Sequence, residues 1–90
     1  MVKVRNMKSN SGRSVANQFE IETDNGTYLQ SYDSIIAKRM RMSGVIFLDE
    51  NYWDYSTTTG RYRNMFLGET KKETQAKIDS GEYILTNLNK

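Results

Sequence analysis

Residues 52-YWDYSTTTGRYR-63 gather four aromatic rings, two arginines and four hydroxyl side chains into twelve positions. Those residue types support two kinds of recognition. Aromatic rings stack on bases, each stack contributing about 1–3 kcal/mol, and arginine forks hold phosphates or carboxylates. Tyrosine, tryptophan and arginine also dominate the energetics of protein–protein contacts. A small core makes a competing demand, because aromatics bury the most area per residue, and Trp53 and Tyr55 are eligible for it. Arg61 and Arg63 lie two apart, and on a helix such side chains do not share a face, which weakens a clamp. The expected division is that Trp53 and one tyrosine anchor the junction between sheet and helix. The remaining ring and the arginines then face outward. The candidate contact residues here are Tyr52, Trp53, Tyr55, Arg61, Tyr62 and Arg63.

A second candidate set is basic. Lys3, Arg5, Lys8 and Arg13, followed by Lys38, Arg39 and Arg41, make the first half net basic, whereas the second half is close to neutral. Lys38, Arg39 and Arg41 therefore join the contact set for a protein or nucleic-acid partner. On a strand, Arg39 and Arg41 share a face with Ala37 while Lys38 and Met40 take the other. Such charges also serve to block edge-to-edge pairing. The run 56-STTTG-60 has hydroxyls and a glycine where a helix start can cradle an anion. It lacks the lysine and first glycine of a phosphate-binding loop. A helix N-cap is the plainer role.

Catalytic equipment is sparse. The chain has no histidine and no cysteine. The usual general base near neutral pH, the commonest metal ligand, disulfides and thiolate zinc sites are all removed. Asp49, Glu50 and Asp54 offer oxygen ligands of the kind Mg²⁺ takes. On a strand, however, Asp49 and Glu50 point to opposite faces. The reading is a non-enzyme with no catalytic residue, metal or cofactor.

The elements that must position these residues follow from local pattern. With 90 residues, one domain spanning 1–90 is expected. Alternation marks 2–7 as a strand and 15–23 as a half-buried strand with Phe19, Ile21 and Thr23 on one side. The turn 24-DNG-26 suits a hairpin because Asn-Gly tolerates positive φ, and 27–32 is the partner strand. The stretch 34–50 reads either as a helix capped by Asp33 or as two strands reversing at Ser43 and Gly44. β-Branched residues at both ends favour strands. Ser56 or a following threonine caps a helix with apolar positions Tyr62, Met65 and Phe66, closed by Gly68. Thr70 and Glu73 have capping-box spacing for a second helix that runs to about Ser80. Residues 82–88 form a last strand. The predicted fold is α+β, a small, mostly antiparallel sheet with two short helices of the C-terminal half packed on one face.

The motifs 31-SYDSIIA-37 and 48-LDENYWDYSTTTGRYRNMFLGETKKE-73 carry a resemblance. They are similar to a family of small uncharacterised proteins of bacteriophages and related mobile elements, marked by SY-x-SIIA, LDE-x-YWDYS-x-TT and YRN-x-FLGE. The similarity runs from about residue 15 to the C-terminus. The segment 38-KRMRMSG-44 is more basic than the family's hairpin. The resemblance implies a bacterial host cytoplasm and an accessory role in phage or plasmid propagation, and no catalytic residues.

The expected function is a small non-enzymatic accessory protein that binds a host or phage protein and inhibits a defence or replication factor. The alternatives are a nucleic-acid-binding accessory protein and a binder of small nucleotides. A net charge of +2 does not by itself argue for nucleic acid. No apolar run approaches the roughly 18 residues of a membrane span, so no membrane partner is expected. The basic N-terminus has no following apolar segment of the signal-peptide kind. A monomer or a homodimer fits, the latter through an uncovered sheet edge or face.

Overall fold

The computed structural model contains β1 (Lys3–Lys8), β2 (Ser14–Glu22), β3 (Gly26–Ser31), β4 (Ser34–Met40), β5 (Ile46–Asp49), α1 (Thr57–Leu67), α2 (Lys71–Asp79) and β6 (Ile84–Thr86). The strands form one sheet in the order β1-β2-β3-β4-β5-β6. The first four pairings are antiparallel, and β6 runs parallel to β5. A parallel pair needs a long crossover, and α1 and α2 supply it. The fold is thus α+β, and the segment 34–50 is two strands rather than a helix.

Both helices start and stop where side-chain chemistry allows. Ser56 caps α1, its Oγ accepting the Thr59 N–H at 3.1 Å. Gly68 ends α1 at φ 70°, a left-handed conformation that glycine adopts at little cost. Thr70 and Glu73 form the expected capping box on α2. Tyr62 and Phe66 turn inward, whereas Met65, expected on the same apolar face, stays 41% exposed.

The helices cover one face of the sheet. Leu29, Ala37 and Leu48, opposed across β3, β4 and β5, pack with Tyr62, Phe66 and Tyr83 in the core. Ser31 and Thr59 hydroxyls meet at 2.9 Å and tie β3 to α1. A bulge in β4 sets both Ile36 and Ala37 against Leu29's side of the ladder, and both are buried. In β2 the register slips near Asn17, which sits at φ 65°. Gln18 lies opposite Ser31 and is buried. The covered side of β2 therefore carries Gln18 and Glu20, while Phe19 and Ile21 fall on the side away from the helices.

The β2–β3 turn differs from expectation. Neither Asn25 nor Gly26 takes a positive φ. The loop residues are Asp24 and Asn25, closed by Thr23 N–H donating to the Gly26 carbonyl at 2.8 Å. Gly26 is needed for a different reason: a Cβ there would collide with the Arg39 carbonyl oxygen on β4. Separating two strand backbones is not cheap, so Gly26→Ala is expected to cost about 2 kcal/mol, the scale of overpacking a tight site. Urea unfolding checks this, and a change within about 0.5 kcal/mol, the size of a neutral surface substitution, would contradict it.

Candidate binding surfaces

The aromatic segment lies between β5 and α1, and Asp49 shapes its start. This buried carboxylate accepts the backbone N–H groups of Asn51 and Tyr52 on one oxygen, at 3.0 and 2.9 Å. Its other oxygen accepts the Leu88 N–H at 2.8 Å, fastening the C-terminal tail. Both Asp49 oxygens are thus committed to backbone donors. Asn89 adds a second fastening, exchanging two side-chain bonds with the Ile35 backbone at 2.6 and 2.9 Å.

Most of 52–63 holds the junction together. Tyr52 and Trp53 are half-buried and pack on the core. Tyr62 is 5% exposed. Tyr55 is 67% exposed and meets the Tyr52 ring edge-on, with centroids 5.4 Å apart. Arg61 is exposed.

Arg63 does not face outward as expected. It is 1% exposed, with its guanidinium 5.2 Å from the Trp53 ring centroid. Its Nη1 donates to the Trp53 carbonyl at 2.8 Å and to Asp54 Oδ1 at 3.1 Å, and its Nη2 donates to Asn64 Oδ1 at 2.9 Å. A buried guanidinium requires such partners, and the loop folding back over α1 provides them. Lys71 Nζ reaches the other Asp54 oxygen at 2.6 Å. Burial raises the Asp54 pKa, but hydrogen bonds from Lys71 and Arg63 outweigh that and hold the carboxyl below its ordinary value. Spacing alone hid this arrangement, because the opposite charges lie nine residues apart across a loop and a helical turn.

Lys38 parts from Arg39 and Arg41, which line one groove beside the β2–β3 turn. Arg39 points to the helix side, stacks 4.6 Å from the Phe66 ring centroid and donates to the Phe66 carbonyl at 2.7 Å. A cation near the last turn of α1 also complements the helix dipole. Arg41 lies beyond the end of β4, in the turn, exposed. Lys38 points to the opposite side of the sheet, 5.0 Å from the Tyr28 ring centroid. Arg5 pairs with Glu20 at 3.0 Å and Glu22 at 3.8 Å. Lys3 and Arg41 share a pocket with Glu22 and Asp24, and Arg39 and Arg41 share another with Glu22, so the basic residues that meet are interleaved with carboxylates.

The face without helices carries residues that sequence reasoning did not single out. The strand register sets Val4, Ile21, Tyr28, Lys38, Phe47 and Ile84 in one row across all six strands. A second row holds Asn6, Phe19, Gln30 and Ile35. None of these apolar side chains packs against the core. Val4 is 61% and Ile84 43% exposed. Alternation in β2, with Phe19 and Ile21 on one side, was the available signal. It indicated an apolar side without showing whether helices cover it.

A polar cleft of about 580 Å³ opens on the helix side, between the first turn of α1 and the start of α2. Asp54, Gly60, Arg61, Arg63 and Lys71 are among its lining residues, and none of the lining residues is hydrophobic.

A five-stranded antiparallel meander with a helical crossover to a parallel sixth strand, and helices on one face only, defines a small α+β protein. The chain belongs to the family of unknown function DUF8033, whose model matches residues 2–82. No curated protein and no solved structure matches the chain. No helix is long and apolar enough to cross a membrane.

Proposed function

We propose that this chain is a non-enzymatic binding protein that docks on another protein through the bare face of its sheet. The row Val4, Ile21, Tyr28, Lys38, Phe47 and Ile84 carries the reading. A contiguous apolar patch left uncovered marks an interaction site. Lys38 is the one charged residue in the two rows, so the complementary partner is an apolar protein surface bearing a carboxylate. Two other occupants fit less well. Phosphate tracking needs several cations on one face, and the two apolar rows hold one. A second copy centred on the row would set Lys38 against Lys38. The motif resemblance supports a partner among host or phage proteins in a bacterial cytoplasm, with inhibition of a defence or replication factor as the outcome.

The test begins with cross-linking in cells to identify a partner, followed by titration of that purified protein. Phe47→Glu and Lys38→Glu are expected to weaken binding at least tenfold, with the fold unchanged, since neither side chain packs on the core. Tyr55→Ala should bind as the parent does. Three results overturn the reading: Phe47→Glu binding undiminished, self-association that Phe47→Glu abolishes, or salt-steep binding to single-stranded nucleic acid at this face.

A further inference from the structure

We propose that the polar cleft between α1 and α2 is a binding site for a phosphate group. It lies on the opposite side of the sheet from the docking face, and the two sites stand or fall separately. Three cations, Arg61, Arg63 and Lys71, line it against one carboxylate, Asp54. The surplus of positive charge matches a phosphomonoester dianion. Two first-turn amides of α1, Thr57 N–H and Thr58 N–H, have no acceptor within the protein. Unpaired amides at a helix start favour an anion through both hydrogen bonding and the helix dipole. Arg61 forms no ion pair.

Arg63 provides the second, independent observation. It lines the cleft at 1% exposure, and its Nε–H has no partner. An unpaired donor on a buried guanidinium is a group awaiting an acceptor. Gly60 lies against this guanidinium from within the first turn of α1. Its backbone does not have a positive φ. A Cβ at Gly60 would sit 3.5 Å from Nη2 and 3.7 Å from Nη1 of Arg63, ordinary van der Waals contact. Alanine would therefore fit, and inside a helix it is preferred over glycine. Glycine here is required neither by space nor by backbone geometry. What it does is leave a methyl-sized space beside Nη1 and Nη2 of a guanidinium that is otherwise covered. Lys71 and Asp54 form the rim, and Lys71 can turn from Asp54 to a stronger anion because its side chain is 58% exposed.

The test is a titration of the full chain with inorganic phosphate, followed by amide NMR, with sodium chloride at matched ionic strength as the control. Saturable shifts are expected at Thr57, Thr58 and Gly60, absent with chloride. Gly60→Ala should raise the thermal midpoint yet weaken phosphate binding at least tenfold. Arg61→Gln should weaken it severalfold with the midpoint unchanged. Adenosine monophosphate serves as a second probe: affinity equal to that of phosphate assigns the site to the phosphate alone, and tighter binding extends it to a nucleotide. Phe47→Glu, which tests the docking face, should leave these titrations unaltered. Non-saturating shifts, equal shifts with chloride, or a Gly60→Ala protein that binds phosphate as the parent does would each overturn the proposal.

Discussion

Replacing Arg63 with methionine is expected to destabilise the protein by about 3 kcal/mol, the low end of the range for breaking a buried pair. Three acceptors lose their donor together: the Trp53 carbonyl, Asp54 Oδ1 and Asn64 Oδ1. The low end applies because Asp54 is 34% exposed and keeps Lys71. Methionine keeps an unbranched apolar stem, so the loss isolates the guanidinium, including its stack on Trp53. Arg63→Lys should recover little, since an ammonium cannot fork across acceptors set in different directions. Lys71→Ala should cost under about 1 kcal/mol, as exposed pairs do. Denaturant unfolding measures all three. Near-equal effects for the Arg63 and Lys71 variants would mean that Arg63 is a surface charge in solution.

Glu69→Gln is expected to cost about 2 kcal/mol near neutral pH, in the range for hydrogen bonds to a charged group, and less in acid. The Glu69 carboxylate is 5% exposed and accepts from Thr74 at 2.6 Å, Lys77 at 2.7 Å and Tyr83 at 2.8 Å. It joins the end of α1 to α2 and to the approach to β6. Burial raises its pKa, yet bonds from Lys77, Thr74 and Tyr83 outweigh that and leave it below its ordinary 4.5. A carboxyl with a depressed folded pKa adds stability above its unfolded pKa, and that stability is lost as pH falls through the folded pKa. Glutamine does not titrate, so the gap between parent and variant should close below about pH 4.5. Asp54 and Glu73 are also held low, so the parent loses further stability in acid through groups that the variant retains. Burial, and then the bond to Glu69, raise the Tyr83 pKa, which predicts a separate loss as pH rises through its folded value. A gap constant from neutral to strongly acidic pH would refute the assignment to Glu69.

Local chemistry was legible in the sequence wherever it acts within a few residues. Ser56, Gly68 and the Thr70–Glu73 box mark helix ends by contacts no more than four residues long, and each sits where the pattern put it. β-Branched residues favour a strand over 34–40, and β4 is one. What was not legible depends on which layers meet. Phe19 and Ile21 alternate as a buried side would, but the helices pack on the other face, where bulges at Asn17 and Ile36 reset which side chains point inward. Arg63 looked exposed because nothing near it in sequence hints that Trp53 and Asp54 fold back to cover it. The Asn-Gly pair marks Gly26 as a turn residue, whereas its constraint comes from Arg39 on the next hairpin.

The coincidence of strand order with chain order also has a kinetic consequence. Every link from β1 to β5 is short, whereas β5 and β6 are joined only through residues 50–83 and both helices. Closing short loops costs little chain entropy and long ones more, and local pairing forms fastest. The first five strands are therefore expected to zip together from neighbouring hairpins before β6 arrives. β6 and the tail bonds at Leu88 and Asn89 then form the last part of the molecule to assemble and the first to let go. Amide protons of Ile84–Thr86 should exchange ahead of those in β3 and β4, and the C-terminal end is where unfolding begins.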